Sequence, residues 1–220
     1  MSYGHIFDAL LGGLGITVQV TVLAVAWGTV AAIVLGVASL SSSLLLRAAV
    51  RIWVEVFRGV SAIILMFWVY YALPLFGLEL EALTAGVLAL GLNTSAYGAE
   101  IVRGAVQAVP RGQTEASIAV NLSAGQRLWS VVLPQAMVIM LPPYGNLMIE
   151  MLKASSLVSL LGLDDIMREG RNLRREPGAD SVEIFLAVLL LYFALSLLIT
   201  LGVRLLERRF GRGILATGRA

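Results

Sequence analysis

Five long stretches of the 220-residue chain contain no charged side chain, and charged residues cluster between them. The uncharged stretches cover residues 9–46, 59–78, 82–99, 128–149 and 184–203. A helix needs about 20 mostly apolar residues to cross the hydrocarbon core of a bilayer. The pattern therefore predicts a single transmembrane domain over residues 1–220. Its five spanning helices are expected at about 11–38, 53–77, 82–106, 129–151 and 182–205.

The composition agrees with an all-α integral membrane protein. Hydrophobic residues make up 59% of the chain and charged residues 14%, whereas a soluble domain has about 45–50% and about 25%. We do not expect the first uncharged stretch to be a cleaved signal peptide, because no lysine or arginine precedes it. The chain has no cysteine, which excludes disulfides and thiolate metal sites.

The positive charges are unevenly divided between the two sides of a five-span bundle. Five of the 16 positive residues fall on one side, and they are Lys153, Arg168, Arg171, Arg174 and Arg175. The other eleven, including Arg212 and Arg219 of the C-terminal tail, fall on the side of loop 110–127. The positive-inside rule then predicts an external N-terminus, a cytoplasmic C-terminus and a cytoplasmic loop. Segment 164–180 is expected to be a solvated external loop.

Loop 110–127 carries local signals for two short helices. Pro110 and Gly112 are expected to end the third span, because proline lacks an N–H donor and glycine tolerates the turn. The residues after Gly112 can form about two helical turns with a face of small side chains. Ser123 and Gln126 have the spacing of a capping box, which predicts a new helix leading into the fourth span.

The purpose of this loop stays open on physical grounds. Pro134 is expected to interrupt the second helix where it enters the membrane. The loop can be a structural connector, or its small residues can allow another protein to approach closely. Glu115 can cap the dipole of the first short helix or contact that partner.

The loop resembles the EAA signature of the integral-membrane permeases of bacterial ABC importers. The resemblance is carried by Glu115-Ala116-Ser117 and, further on, by the segment 131–134 that ends in Leu133-Pro134. It implies a type I-like permease fold in which the loop forms a coupling helix that docks on a cytoplasmic ATPase. Ser117 stands where a second alanine is usual, and Asn121 where a glycine is usual. The implied coupling residues are Gly112, Glu115, Ala116, Ser117, Asn121, Leu133 and Pro134.

Other stretches are similar to the polar amino acid uptake branch of that family. They are Arg58-Gly59 with the aromatic-rich run to Pro74, residues 96–104, residues 110–113, and Asn146 with Lys153 and residues 155–157. Together they cover roughly residues 14 to 206. The sequences of residues 97–113 and 140–150 look closest to those of permeases for ectoine and hydroxyectoine. Leu147 follows Asn146 where permeases for cationic amino acids often have glutamate, which favours a zwitterionic or weakly charged solute over arginine or lysine.

The resemblance also implies a set of partners. The chain has no GxxxxGK[ST] sequence, and its only lysine, Lys153, is followed by Ala154, so a P-loop is excluded. The energy must therefore come from another subunit, and the resemblance implies that this is a cytoplasmic ABC ATPase dimer. A second permease chain, identical or homologous, an extracytoplasmic solute-binding protein and membrane lipid complete the implied partners in the bacterial inner membrane. No cofactor, metal, catalytic residue or nucleic acid is implied.

Polar residues in or beside the third and fourth spans are candidates for a substrate pathway. A charge deep in the membrane costs about 2.5–3.5 kcal/mol, so residues of this kind normally face a cavity or one another. The candidates are Asn93, Tyr97, Glu100, Asn146, Glu150 and Lys153. Asn146 is the first choice, since the resemblance places it along the pathway. Pro142-Pro143 is also expected to break the helix just before it. Alternatively, Glu150 with Lys153 and Glu100 with Arg103 form structural ion pairs.

Two other classes of function remain as alternatives. A secondary transporter needs no ATPase, but it usually has more spans and paired repeats, and no internal repeat is evident here. A membrane enzyme needs a catalytic constellation. One histidine, His5, and no cysteine leave little from which to build one.

Overall fold

The computed structural model describes residues 3–211, and within that range it contains helices and no strand. The first half comprises α1 (Tyr3–Gly12), α2 (Leu14–Ala38), α3 (Leu44–Gly59), α4 (Ala62–Phe67) and α5 (Ala82–Ala108). The second half comprises α6 (Arg111–Ala119), α7 (Ala124–Arg127), α8 (Leu133–Ala154), α9 (Ile166–Leu173) and α10 (Ser181–Gly211). A π-helical segment, Trp68–Ala72, and a 3₁₀ segment, Leu73–Phe76, extend α4. The π-helical segment Leu128–Val132 joins α7 to α8, and the 3₁₀ segment Ser155–Leu161 follows α8.

Three helical stretches in the described part are long and apolar enough to cross a membrane. They are Tyr3–Ala38, Ala124–Leu161 and Ser181–Gly211, and they contain the first, fourth and fifth predicted spans. The bent pair Leu44–Gly59 and Ala62–Phe76 makes a fourth when it is counted as one span. Helix α5 has 27 residues and is therefore about 40 Å long. It is less apolar because its buried face contains Asn93, Thr94 and Ser95.

The centre of the protein is the pair of α2 and α5, which approach closely because glycines face larger residues. A Cβ at Gly28 would lie 2.7 Å from Thr94 Cβ, and one at Gly98 would lie 2.6 Å from the Cβ of Ala32. Gly91 packs under the Trp27 indole, whose Nε1–H donates to the Val87 carbonyl at 3.1 Å. Small residues at helix contacts are typical of membrane proteins, where packing holds the helices together.

The second predicted span differs from the expected single helix over 53–77. Helix α3 ends at Gly59, and the following helical segment leaves it at 99°. Val60 and Ser61 are both extended, with ψ of 132° and 137°. Val54, on the buried face of α3, packs in a cluster with Ala99 of α5. Contacts with α5 therefore set the direction of α3.

The expected break at Pro142-Pro143 is wrong, and the expected interruption at Pro134 is limited to a change of helix type just before it. Pro134 lies in the first turn of α8, and helical structure continues through it because the π turn at Leu128–Val132 changes the hydrogen-bonding register just before it. Pro142 and Pro143 lie inside α8, which continues to Ala154. Packing of α8 against α5 on one side and α10 on the other outweighs the two missing N–H donors.

The segment 164–180 is not simply a solvated loop. It contains α9, which packs against α1 and α10. Ile166 and Leu173, one at each end of α9, are buried in a cluster with Leu10 and Ile184. The seven-residue spacing of Ile166 and Leu173 is the sequence signal for this buried face.

Candidate functional site

Helix α6 presents a stripe of small side chains and one glutamate to the surroundings. Gly112, Glu115, Ala116 and Ala119 are all exposed. Their spacing of three and four residues places them on one face of the helix. Glu115 is the fifth residue of α6, beyond the first turn, and α6 has no side-chain cap. This position favours contact with a partner over capping of the helix dipole.

The two departures of this helix from the usual family pattern have local explanations. The buried Ser117 hydroxyl donates to the Gln113 carbonyl one turn earlier, so replacing alanine leaves no unsatisfied polar group. Asn121 has φ of 60° and is the one non-glycine residue with positive φ in the described chain. The Asn121 N–H donates to Ile118 O at 2.9 Å and the Leu122 N–H to Ser117 O at 3.0 Å. This is a Schellman motif, in which asparagine can replace glycine.

The loop is connected to the membrane helix that follows it. The predicted capping box is confirmed: Ser123 Oγ accepts from the Gln126 N–H at 3.3 Å, and Gln126 Oε1 accepts from the Ser123 N–H at 3.0 Å. Gln135 of α8 donates to Gln113 Oε1 at 3.3 Å and to the carbonyl of Val131 at 3.0 Å.

The other residues expected to form this site lie in mixed environments. Leu133 is half-buried and Pro134 is exposed. Gly112 was expected to end the third span, but it lies inside α6, and α5 has already ended at Ala108. The turn between the two helices is made by Val109 and Pro110, both extended, with ψ of 129° and 134°.

Asn93 and Tyr97 hold the end of α3. The Asn93 Nδ2 donates to the Phe57 carbonyl at 3.0 Å, and the Tyr97 hydroxyl donates to the Arg58 carbonyl at 3.4 Å. These carbonyls belong to the last turn of α3, where no intrahelical donor is available. The Arg58 guanidinium lies 5.3 Å from the centroid of the Tyr97 ring, which is cation–π geometry. Asn93 is buried, and its amide therefore stabilises the bend.

A groove of about 350 Å³ lies between α3, α5 and α8. Its polar lining residues are Arg58, Tyr97, Glu100, Asn146 and Glu150, with Pro143 and Leu147 among the apolar ones. The structure thus brings four of the six pathway candidates together and leaves Asn93 and Lys153 outside the groove lining. Arg58 was not among the candidates. Its position beside Gly59, at the end of an amphipathic helix, was the available signal.

The two expected ion pairs have different outcomes. Glu100 Oε2 lies 2.7 Å from Arg103 Nη2, so that pair is confirmed. Glu150 and Lys153 form no ion pair within 4.0 Å in the part of the chain that the structure describes. Within residues 3–211 there is also no group of three or more His, Asp or Glu side chains placed to hold a metal ion.

The chain is similar to known transport proteins over most of its length. The family model described as the binding-protein-dependent transport system inner membrane component matches residues 24–212. A probable amino-acid ABC transporter permease protein of Sinorhizobium fredii is 42% identical over 207 residues, 90% of this chain and 87% of that protein. The glutamine transport system permease protein of Escherichia coli is 33% identical over 202 residues, 91% of this chain and 92% of that protein.

Solved structures of ABC transporters are also similar to the chain. The crystal structure of an amino acid ABC transporter with histidines has a TM-score of 0.84 at 32% identity, covering 92% of this chain and 94% of that one. An inward-facing methionine ABC transporter has a TM-score of 0.79 at 22% identity, covering 96% and 99%, which shows likeness of fold alone.

These relatives confirm the all-α ABC importer permease fold and the expectation of a transmembrane permease subunit that is not an enzyme. The count of five spans and the orientation in the membrane stay predictions. With a family model that covers most of its residues, the chain belongs to the family of binding-protein-dependent transport system inner membrane components.

Proposed function

We propose that this permease moves a polar amino acid, or an amino-acid-like compatible solute, across the inner membrane by alternating access. The observation that carries the proposal is the groove between α3, α5 and α8, which contains the Arg58 guanidinium, the Asn146 amide and the Glu150 carboxylate. A zwitterionic solute there finds a positive group for its carboxylate and a negative group for its cationic end. The names of the relatives, which specify amino acids and glutamine, support the same class of solute.

The charge balance of the groove favours a solute with no net charge. Glu100 is engaged by Arg103, whereas Arg58 and Glu150 have no ion-pair partner within the described residues. One positive and one negative group are therefore available to the solute. Leu147, beside Asn146, provides no second carboxylate to bind a cationic side chain of the solute. Within this class we propose ectoine and hydroxyectoine as candidate solutes, because each combines a carboxylate with a delocalised cation.

We further propose that α6 is the coupling helix. Its exposed stripe, Gly112, Glu115, Ala116 and Ala119, has small side chains that allow a groove on an ATPase to approach the backbone closely. Its inner side is tied to α8 through Gln113 and Gln135. Helix α8 also carries Asn146 and Glu150, so movement of α6 reaches the groove through one helix.

The proposed assembly contains two permease chains, a cytoplasmic ABC ATPase dimer and an extracytoplasmic solute-binding protein. The N-terminus is proposed to face the outside, and the C-terminus and α6 the cytoplasm, because most positive residues then lie inside. Two of these residues, Arg212 and Arg219, lie outside the described part of the chain.

Reconstitution tests the function directly. The chain would be placed in proteoliposomes with its ATPase and binding protein, and uptake of glutamine, ectoine and arginine would be measured with ATP hydrolysis. Solute-stimulated ATP hydrolysis and uptake of a zwitterionic solute are expected. Uptake that persists without ATP or ATPase would instead show a secondary transporter. Preference for arginine would contradict the charge argument.

Replacing Glu115 tests the coupling helix. Glu115→Arg reverses the charge on the exposed stripe of α6, so we expect loss of ATPase binding and uptake with normal membrane insertion. Glu79→Arg is the matched control, because Glu79 is also exposed but precedes α5, at the end of that helix remote from α6. Coprecipitation of the ATPase would be measured for both variants. ATPase binding and uptake that survive in Glu115→Arg would exclude this face.

A further inference from the structure

Asp165 is a fully buried carboxylate at the start of α9. Its Oδ1 accepts a hydrogen bond from the Arg168 N–H at 2.9 Å and so caps α9. Its Oδ2 is buried and has no hydrogen-bond partner among residues 3–211. A buried carboxylate oxygen without a partner is costly, because its desolvation is not compensated.

A second buried polar atom without a partner lies beside it. The Tyr192 hydroxyl of α10 is the other such side-chain atom in the described part of the chain. It lies close to Asp165, to Thr17 of α2 and to Ser155, which begins the 3₁₀ segment after α8. Four elements therefore meet at one buried polar cluster, defined by Thr17, Ser155, Asp165 and Tyr192.

The backbone around the cluster holds Asp165 in place. The Ile166 N–H donates to Thr17 Oγ1 at 3.2 Å, and the Thr17 hydroxyl donates to the Gly13 carbonyl at 3.1 Å. A Cβ at Gly13 would overlap the Asp165 carbonyl carbon. The start of α9 is thus pressed against the junction of α1 and α2, and the carboxyl group stays buried.

Among residues 3–211, the charges around the cluster leave Asp165 without a close counterion. The Arg168 guanidinium is engaged by Asp164, with Nε 2.9 Å from Oδ1. Arg171 is the cation whose field acts on Asp165, while α2, α10 and the 3₁₀ segment contribute the hydroxyls of Thr17, Tyr192 and Ser155. Burial raises the pKa of Asp165 to about 6, although the backbone N–H groups and Arg171 lower it.

We propose that Asp165 and Tyr192 form a proton-binding site that docks α9 on the membrane helices, at the end of the molecule opposite α6. When the proton is bound to Oδ2, the acid donates to the Tyr192 oxygen, and the tyrosine hydroxyl turns toward Ser155 or Thr17. When the proton leaves to solution, Tyr192 donates to the carboxylate instead. Both states have hydrogen bonds, but the second leaves a charge buried, so the protonated state holds α9 more firmly.

The sign of the pH effect follows from the direction of the shift. The folded protein binds the proton with a pKa of about 6, above the ordinary 3.8 of the group. The contribution to stability is therefore complete below about pH 4 and disappears as the pH rises through 6. Neutralising the side chain removes this dependence and keeps the cap, because Asn retains an oxygen for the Arg168 N–H.

The test is thermal unfolding of the whole transporter in lipid nanodiscs between pH 5 and 8. Asp165→Asn should lose the part of the pH dependence centred near 6. Asp8→Asn, which changes an exposed carboxylate of α1 that forms no ion pair in the described part of the chain, should behave as wild type. The infrared band of a protonated carboxyl group should titrate in wild type and vanish in Asp165→Asn. Tyr192→Phe should move its midpoint to higher pH, because a donor to the carboxylate is lost. An unchanged pH profile in Asp165→Asn, or a band that persists, would overturn the proposal.

Discussion

Asn93 provides the sharpest test of how the structure assigns polar residues in the membrane. Its Nδ2 donates to the Phe57 carbonyl at 3.0 Å, and its side chain is buried away from the groove. Asn93→Ala leaves that carbonyl without a donor. An unsatisfied buried group costs about 1–3 kcal/mol, and a hydrogen bond between membrane helices contributes about 0.6 and at most about 1.7 kcal/mol. We therefore expect a loss of about 1–2 kcal/mol of stability.

The matched comparison is Asn146→Ala, which removes the same amide from an exposed position in the groove. Thermal unfolding and the KM for solute uptake would be measured for both variants in the reconstituted transporter. Asn93→Ala should lower stability and leave KM within about twofold. Asn146→Ala should raise KM about tenfold, which is about 1.4 kcal/mol of binding, with stability unchanged. A stable Asn93→Ala protein with a raised KM would refute the assignment of Asn93 to the bend.

Two further substitutions test the turn after α6 and the packing of α2 on α5. Asn121→Val should lower stability by about 1–2 kcal/mol, because a β-branched residue is strained at φ of 60°. The yield of complex assembled with the ATPase should therefore fall. Asn121→Gly should give a normal yield. Gly91→Ala places a Cβ in overlap with Trp27 Nε1, whereas the Cβ of Gly104→Ala meets nothing within 4 Å. Only the former should lower the melting temperature, and equal effects would contradict the packing argument.

Features that depend on neighbouring residues were predictable from the sequence. Each uncharged run became mostly helical, because a backbone in hydrocarbon must satisfy its own hydrogen bonds. The capping box of Ser123 and Gln126 formed as predicted, since both partners lie within one turn. The ion pair of Glu100 and Arg103 also formed, for the same reason of short separation.

The failed predictions concern residues whose partners are distant in sequence. Pro142 and Pro143 did not break α8, because packing on both sides of the helix outweighs the two lost hydrogen bonds. A pathway role for Asn93 stays a prediction, but its hydrogen bond to a carbonyl 36 residues away was not predictable from the sequence. Asp165 was expected to be solvated, but its neighbour Thr17 lies on α2 and Tyr192 on α10.

The candidate site divides in the same way. The sequence and its resemblance to a family indicated α6, its exposed glutamate and the residues Tyr97, Asn146 and Glu150. Their meeting in one groove, together with Arg58, depended on how α3, α5 and α8 pack.

The sequence by itself determined that the long uncharged runs are mostly helical and which residues belong to the loop, because apolar length and local capping act within a few turns. The tertiary structure alone decided the 99° bend at Val60-Ser61 and the burial of Asp165. The reason is physical: an unpaired carbonyl or carboxyl group must find a partner, and in a helical membrane protein that partner lies on another helix. Which helix comes close enough to supply that partner depends on tertiary packing, and a local sequence pattern does not predict it.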